Sequence, residues 1–294
     1  MLRVLTIAAI AGLPLALTGC AGAWDTISSR NFRKDPFNTT YHMIKPEDPL
    51  VVLRADPPRD GDERAKAMSR LQEPLAIGLS QQDQDEIVDM LARTATTDTS
   101  PVLRIAAIEA LGRFTDSRAA GILAIAYQKA HGRADGTPDP ASPESGIQLA
   151  GGRNNPNRLA SLVPLTGPVG FSPETVEAIR CRALEAMGHS SKPEVSQFLG
   201  SVAASQEDRE VRLAAVRGLA KCRQPESVVA LSKVLASERG KDTALAGRAH
   251  DGLVHLTGKR LPPDPQKWTE VVQAGVTIAP EPTWVQTAFE WMKP

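Results

Sequence analysis

A short pattern that recurs along the chain constrains its fold more than any other feature. In the four copies that begin with arginine, apolar residues follow at the first, fourth and seventh positions, and alanine follows at the third. Apolar residues spaced in this way form one stripe along a helix. Each copy is therefore predicted to be a helix that shows the same face to its neighbours. The copies are RAKAMSRL from Arg64, RIAAIEALG from Arg104, RCRALEAMG from Arg180, RLAAVRGLA from Arg212 and a weaker AGRAHDGLV from Ala246.

A second apolar segment follows each copy after a break. Two of these segments, SSKPEVSQFLGSVAAS and RQPESVVALSKVLASE, carry Pro193 and Pro225 near their starts. Proline is tolerated at the first position of a helix, because the amide there has no partner within the helix. The unit is therefore helix, turn, helix. Its period is 32 residues from Arg180 to Arg212 and 34 from Arg212 to Ala246, which indicates a solenoid.

These paired helices resemble the HEAT repeat in its short bacterial form, which is related to phycobilisome-lyase-type repeats. The resemblance covers about residues 60 to 260. It implies an all-α fold, a right-handed α-solenoid of about five HEAT-like helix pairs, with first helices on the convex side and second helices on the concave side. An unrelated helical bundle is the alternative. The composition fits packed helices, since 41% of residues are hydrophobic but only 4% are aromatic.

The N-terminus has the features of an export signal. Arg3 precedes an apolar run, Val4–Leu17, that is too short for a stable membrane span. The following LTGC resembles the bacterial lipobox, which implies a signal peptide over residues 1–19, cleavage before Cys20, and acylation of its sulfur. An ordinary signal peptide is the alternative. By the same resemblance, Ala21 favours the outer membrane, so we expect a lipid-anchored protein of the cell envelope that faces the periplasm.

The remaining segments flank or interrupt the array. Residues 20–58 are rich in proline and predict an extended linker between the lipidated cysteine and a repeat array over 59–260. Residues 131–171 predict an irregular insertion, because many prolines and glycines cannot easily bury a core. Residues 261–294 predict a helical cap over the last repeat, with one helix starting at Asp264 and Pro265 and a final one that aligns Trp284, Ala288 and Trp291. The alternative for these aromatic residues is an exposed anchor.

The arginine at the start of each copy is interpreted as structural. A planar guanidinium suits bidentate contacts with carboxylates or carbonyls of a neighbouring turn, and acids lie upstream of most copies. An anion-binding ladder is the alternative. The arginines are Arg64, Arg104, Arg180 and Arg212, and the upstream acids are Asp60, Asp62, Asp98, Glu174, Glu177 and Asp208.

Two cysteines, Cys181 and Cys222, remain in a chain that we expect to reach an oxidising compartment. Their places in the repeat argue against a disulfide. Nine helical residues separate them by about 13 Å along the axis, and neighbouring helices add about 8–10 Å laterally. A disulfide needs Cα atoms within about 7 Å. The sequence therefore predicts two buried, unpaired thiols.

No motif for catalysis or for a metal or cofactor site is found in the sequence. The chain has no Gly-x-Ser-x-Gly elbow, Walker loop, CxxC pair or HExxH sequence, and QQDQDE at 81–86 is interpreted as a helix start. Lysine plus arginine equals aspartate plus glutamate, at 34 each, which argues against nucleic acid as a partner. We therefore expect no enzyme activity, cofactor or metal.

The function predicted from these features is that of an interaction scaffold. An array of this kind would present its concave side to another envelope protein or to a peptide. Side chains of the second helices would make the contacts, and the register suggests Gln128, Gln197, Ser201 and Lys233. The alternative is an envelope enzyme or lyase-like subunit whose site uses the 131–171 insertion.

Overall fold

The computed structural model describes residues 47–130 and 170–280. Within these ranges the chain forms eleven α-helices, one 3-10 turn and no strand. It divides into two units between Arg59 and Asp60. In the first unit, helix α1 (Pro49–Leu53) begins where the carboxylate of Asp48 accepts a hydrogen bond from the amide of Leu50 at 2.9 Å. This short helix lies in the segment for which the sequence predicted only an extended linker.

The second unit contains five helix pairs in chain order. The all-α solenoid predicted from the repeat is confirmed. The first helices of the pairs are α2 (Gly61–Arg70), α4 (Pro101–Arg113), α6 (Pro173–Met187), α8 (Arg209–Lys221) and α10 (Thr243–Thr257). The second helices are α3 (Gln81–Thr97), α5 (Ala119–Gln128), α7 (Pro193–Ala203), α9 (Pro225–Glu238) and α11 (Pro265–Gln273).

The helix starts follow from local sequence. Pro193, Pro225 and Pro265 are the first residues of α7, α9 and α11, as predicted, and the carboxylate of Asp264 caps α11 through the amide of Gln266. The segment QQDQDE begins α3, also as predicted. These prolines lose no helical hydrogen bond, which suits them to the first position of α7, α9 and α11.

Consecutive pairs are stacked through their first helices. Helices α2, α4, α6, α8 and α10 each pack on the next one, and each second helix up to α9 packs on the first helix of the following pair. Helices α4 and α6 pack directly on each other although the 131–171 insertion separates them in the chain. Residues 131–169 lie outside the described residues, but the pairs on either side are neighbours in one stack.

The stack is tight because small residues lie where first helices cross. The alanine at the third position after the arginine is fully buried in every copy: Ala67, Ala107, Ala183, Ala215 and Ala249. A Cβ atom on Gly218 would lie 2.5 Å from the carbonyl oxygen of Leu184, and one on Gly188 would lie 2.5 Å from the carbonyl oxygen of Gly218. Backbone therefore lies against backbone between α6 and α8, with no room for a methyl group.

Arg104 occupies the corner where the ends of α3 and α5 meet. Its Nε donates to the carbonyl oxygen of Asp98 at 2.7 Å, and its Nη1 donates to that of Lys129 at 3.0 Å. Its guanidinium also lies 4.8 Å from the centre of the Phe171 ring. Asp98 follows α3 and Lys129 follows α5, so one buried side chain ties together the ends of two successive second helices. Phe171, assigned from sequence to the irregular insertion, is part of this contact.

The other arginines lie at equivalent corners. Nη2 of Arg180 donates to the hydroxyl of Tyr127 at 2.6 Å and to the carboxylate of Glu207, and its guanidinium lies 4.5 Å from the Tyr127 ring centre. Arg212 donates to the carbonyl oxygen of Ala203 at 3.0 Å and to Oε1 of Glu238 at 2.7 Å.

Three of these arginines pair with acids other than those upstream of them, whereas Arg104 contacts the carbonyl oxygen of the upstream residue Asp98, as the sequence suggested. Arg180 pairs with Glu207 rather than with Glu174 or Glu177, and Arg212 pairs with Glu238 rather than with Asp208. Arg64 lies 3.8 Å from Oδ2 of Asp98, at the end of its own second helix. The difference has a topological cause. The end of the second helix of each of these pairs lies next to the repeat arginine on the first helix of the same pair. The residues just before the arginine do not reveal this contact.

The end of the array is covered by α11, which packs on α9. Trp268 of α11 is completely buried, and its indole nitrogen donates to the carbonyl oxygen of Pro262 at 3.1 Å. Trp284, Ala288 and Trp291, assigned from sequence to the cap, lie outside the described residues.

The helix crossing at Gly218 gives a first prediction. Gly218→Ala should lower the free energy of unfolding by about 1–3 kcal/mol, because the added methyl group meets a backbone oxygen that cannot move without separating two helices. Gly247, in α10, is the matched control, because a Cβ atom there would meet nothing within 4 Å. Gly247→Ala should leave stability unchanged or raise it by up to about 1 kcal/mol through helix propensity. Urea unfolding of both variants checks this, and equal effects would contradict the crossing.

The corner at Arg180 gives a second prediction. Arg180→Met should destabilise the fold by about 3–5 kcal/mol, because it leaves the buried carboxylate of Glu207 without its cation. Arg182→Met, two residues along the same helix, should cost less than about 1 kcal/mol, since the Arg182 side chain is half exposed. Thermal unfolding of the two variants measures the difference. Similar melting temperatures would show that the corner contact contributes little.

Candidate interaction surface

On α5, α7 and α9, one set of exposed positions forms a surface with almost no charge. The surface comprises the residues 17, 21 and 24 positions after the repeat arginine on α5, α7 and α9. We call it the second-helix strip. Its members are Gly121, Ile125, Gln128, Gln197, Ser201, Ala204, Val229, Lys233 and Ala236, all exposed or half-buried. Lys233 is the one charged residue among these nine, so most of the strip can be covered at little electrostatic cost.

The four residues suggested from the sequence all lie on this strip and are exposed. Gln197 and Ser201 are one turn apart on α7, Lys233 occupies the register of Ser201 on α9, and Gln128 ends α5. The hydroxyl of Ser201 donates to the carbonyl oxygen of Phe198 at 2.7 Å, so its proton is already used within the helix. These side chains offer a few polar groups on a shallow surface and no converging set of acids and bases.

A ring contact and a close glycine approach join the helices that carry the strip. The rings of Tyr127 and Phe198 meet edge to face at 5.7 Å and connect α5 to α7. A Cβ atom on Gly200 would lie 3.1 Å from the Cβ of Ala230, so α7 and α9 also approach closely. A surface built on such packing keeps its shape when a partner binds, which limits the entropy lost on association.

The exposed side of the first helices has a different character, because its charges pair with one another. Oε1 of Glu109 lies 3.6 Å from Nε of Arg182, whose Nη1 lies 3.4 Å from Glu185. Glu185 also lies 2.9 Å from Nη1 of Arg217. This row of alternating charges crosses α4, α6 and α8. Sequence analysis missed it, although Glu109, Glu185 and Arg217 all lie five positions after a repeat arginine.

Cys181 lies among these charges. Both Cys181 and Cys222 are unpaired, as predicted, but only Cys222 is buried, and Cys181 is half-buried. Burial, together with the negative charges of Glu177 and Glu185, raises the pKa of the Cys181 thiol to about 11. This thiol is therefore protonated at neutral pH and is a poor nucleophile.

Cys222 is held by polar contacts rather than acting as a small apolar residue. Its Sγ donates to the carbonyl oxygen of Ser190 at 3.1 Å and lies 3.1 Å from Oγ of Ser196. Oγ of Ser196 also lies 2.8 Å from Oγ of Ser227. The thiol and two hydroxyls form a buried polar cluster that joins the turn after α6 to α7 and α9.

The cavities of the described residues include a small one and an open one. A cavity of about 90 Å³ lies beside the turns that follow α4 and α6, lined by residues that include Asp116, His189 and Lys192. Burial raises the pKa of the Asp116 carboxyl, but two hydrogen bonds from the Arg118 side chain act against it, and that pKa is lowered to about 2. Lys192 donates to the carbonyl oxygen of Ser117 at 2.6 Å. Asp116 and Lys192 therefore already have partners within the fold.

The other cavity is an open hollow of about 630 Å³ on α10 and the loop after it. Nε2 of His250 lies 2.8 Å from the carbonyl oxygen of Leu261. The lining residues are His250, Asp251, Val254, His255, Arg260, Leu261 and Pro262. Within residues 47–130 and 170–280, no group of three or more His, Cys, Asp or Glu side chains is arranged to hold a metal ion. No helix in these ranges is long and apolar enough to cross a membrane.

A group of exposed aliphatic side chains was not predicted from the sequence. The turn between α2 and α3 exposes Leu75, Ile77 and Leu79. The signal for it is the run PLAIGL at 74–79, which has no charge where a turn between two helices is normally polar.

Comparison with known protein families supports the repeat assignment. Residues 174–249 match the family model for HEAT repeats, a range that extends from the first turn of α6 into the middle of α10. The comparison with curated proteins finds no match. The match includes α7, α8 and α9 and the close crossing of α6 and α8 at Gly188 and Gly218. Residues 174–249 are therefore similar to HEAT repeats.

Proposed function

We propose that this protein is an exported, lipid-anchored scaffold that binds another envelope protein, or a peptide segment of one, on the second-helix strip. HEAT repeats are a fold of protein-interaction scaffolds, and this coarser assignment agrees with the matched family. The finer elements of the proposal are the membrane anchor, the periplasmic location and the relation to phycobilisome-lyase-type repeats. They rest on sequence and on the contrast between the two sides of the array.

The contrast between the two sides carries the proposal. On the first helices, Glu109, Arg182, Glu185 and Arg217 pair with one another, so a partner covering them would disrupt existing ion pairs. On the second helices, eight of the nine strip positions are uncharged. Burying such a surface removes little charge from water, and the apolar atoms of Ile125 and Val229 gain by leaving it.

The chemistry of the strip indicates the kind of partner. Ala204 and Ala236 are short exposed side chains on the same strip as Gln197 and Ser201, a mixture that suits small apolar side chains flanked by amide or hydroxyl groups. Lys233 offers one positive charge at the α9 end. We infer a partner segment with small apolar and uncharged polar residues and an acidic group toward α9, bound with modest affinity through shape more than through charge.

The anchor is inferred from sequence. Cys20 and the apolar run before it lie outside the described residues, and the LTGC sequence is the basis of the inference. Acyl chains on a mature N-terminal cysteine hold a protein at a bilayer by burying methylene groups, at about 0.8 kcal/mol each. A tether of this kind would concentrate the array near envelope partners.

A third prediction tests the strip. A photo-crosslinking amino acid placed at Gln197 or at Lys233 should give the same discrete adduct in intact cells, because both positions would lie under one partner. The same amino acid at Ala178, which is exposed on α6, is the matched control and should give no such adduct. Mass spectrometry of the adduct identifies the bound segment.

Charge variants complete this test. Gln197→Asp together with Ser201→Asp should reduce the yield of the Lys233 adduct at least tenfold, because an acidic partner segment would be repelled. Ala178→Asp should leave the yield unchanged. Equal adducts from Ala178 and Gln197, or no loss in the double variant, would contradict the strip as the binding surface.

A fourth prediction tests the anchor. The mature protein should begin at Cys20, carry diacylglycerol on its sulfur, and fractionate with outer membranes after cell disruption. Cys20→Ser should move the protein to the soluble fraction while the melting temperature of the array stays unchanged. Mass spectrometry of the N-terminal peptide and sucrose-gradient fractionation measure this, and a mature N-terminus at any other residue would overturn the anchor.

A further inference from the structure

The outward edge of α10 is the last position in the array where a further first helix could pack. At the crossings from α4 to α10, the residue eight positions after one repeat start meets the residue six positions after the next. A Cβ atom on Gly112 would lie 2.8 Å from the Cβ of Ala186, and one on Gly252 would lie 3.0 Å from the Cβ of Ala220. The equivalent residue of α10 is Val254, and no further first helix follows it within the described ranges.

The open hollow of about 630 Å³ lies at this edge. Val254, Leu261 and Pro262 give it apolar walls, and Arg260 and two histidines are among its polar residues. Helix α11 packs on α9 and leaves this side of α10 uncovered. The hollow therefore marks the place where the regular packing of first helices stops.

The loop that forms one wall of the hollow is held in place. Nε2 of His250 donates to the carbonyl oxygen of Leu261 at 2.8 Å, and the His250 ring meets the Trp268 ring edge to face at 6.0 Å. The indole nitrogen of Trp268 donates to the carbonyl oxygen of Pro262 at 3.1 Å. A preformed wall of this kind loses little entropy when a segment packs against it.

The described part of the chain ends beside the hollow. The amide of Ala279 donates to the carbonyl oxygen of Leu256 at 2.8 Å, and its carbonyl oxygen accepts a hydrogen bond from Arg223. A Cβ atom on Gly258 would lie 3.3 Å from the Cβ of Ala279. Leu256 directly follows His255, a lining residue of the hollow. The segment that follows Ala279 is therefore tethered within a few residues of this site.

Residues 281–294 have the length and the apolar face that the hollow requires. They lie outside the described residues, and their sequence predicts a helix that aligns Trp284, Ala288 and Trp291. Fourteen helical residues span about 21 Å, close to the length of the 15-residue α10. Two tryptophans can bury about 300–500 Å² of surface between them.

The charges of the segment and of the hollow are complementary. The segment has two acids, Glu281 and Glu290, and one base, Lys293. The lining of the hollow has Arg260 and two histidines against a single acid, Asp251. A short tether also gives an attached segment an effective concentration in the millimolar range, which favours it over a second molecule.

We propose that residues 281–294 occupy the hollow as a helix along α10, with Trp284 and Trp291 against Val254 and Leu261. The segment would give the last first helix the cover that earlier first helices receive from the next pair. This inference depends neither on the anchor nor on the second-helix strip.

Photo-crosslinking within the purified full chain tests this inference. A photo-crosslinking amino acid at Val254 should form an intramolecular adduct with residues 281–294, in at least fivefold higher yield than the same amino acid at Ala178. Ala178 is the matched control because it is exposed on α6, two first helices away. Arg260, an exposed residue of the hollow, is a second crosslinking site if the substitution at Val254 disturbs folding. Tandem mass spectrometry identifies the linked residues.

Alanine variants test which face of the segment packs. Trp284→Ala together with Trp291→Ala should lower the yield of the Val254 adduct at least fivefold, because the segment loses its apolar contacts. Gln286→Ala should leave the yield unchanged, because Gln286 lies on the opposite face of the predicted helix. Circular dichroism verifies that both variants remain folded.

The other outcomes overturn the inference. Adducts that join two copies of the chain would identify a second copy as the occupant of the hollow. Adducts with any segment other than 281–294, or none from either crosslinking site, would exclude this segment. Equal loss of yield in Gln286→Ala and in the double alanine variant would exclude the tryptophan face.

Discussion

Backbone contact between consecutive first helices sets the dimensions of the array. Gly218 lies against the carbonyl oxygen of Leu184, and Gly188 lies against that of Gly218, so α6 and α8 approach until no methyl group fits between them. The fully buried alanines of each copy extend the same close packing along the stack. Once this spacing is fixed, equivalent residues of successive pairs lie side by side. The corner arginines, the ion pairs of the first helices and the strip on the second helices all depend on that alignment.

The two sides of the array show how one register yields two surfaces. On the first helices it brings Glu109 to Arg182 and Glu185 to Arg217, so opposite charges meet across the helix boundaries. On the second-helix strip, eight of the nine positions carry uncharged residues and only Lys233 is charged. A partner therefore meets side chains that already form ion pairs on the first helices, and mostly uncharged side chains on the second-helix strip.

The sequence predicted those features of the structure that depend on residues close together in the chain. The helix pairs, the proline starts of α7 and α9 and the unpaired cysteines follow from periodicity and short-range rules, and the structure confirms them. Partners that arrive from another turn could not be predicted. Glu207 reaches Arg180 because α7 returns to the corner, and Cys181 is half exposed because only the packing of α8 decides which part of α6 stays uncovered. The candidate surface was predicted only as a register on the second helices, without its contrast to the charged side.

The corner at Arg104 has a consequence for how such a chain can change. The same guanidinium holds the carbonyl oxygen of Lys129 and the ring of Phe171, the two described ends that flank residues 131–169. Helices α4 and α6 pack as neighbours, so the stack does not depend on the length of what joins them. The entropy of closing a loop rises only slowly with its length. Evolution, or a protein engineer, could therefore exchange the intervening segment for an unrelated sequence or a small folded domain. The packing of the helix pairs on either side would stay the same.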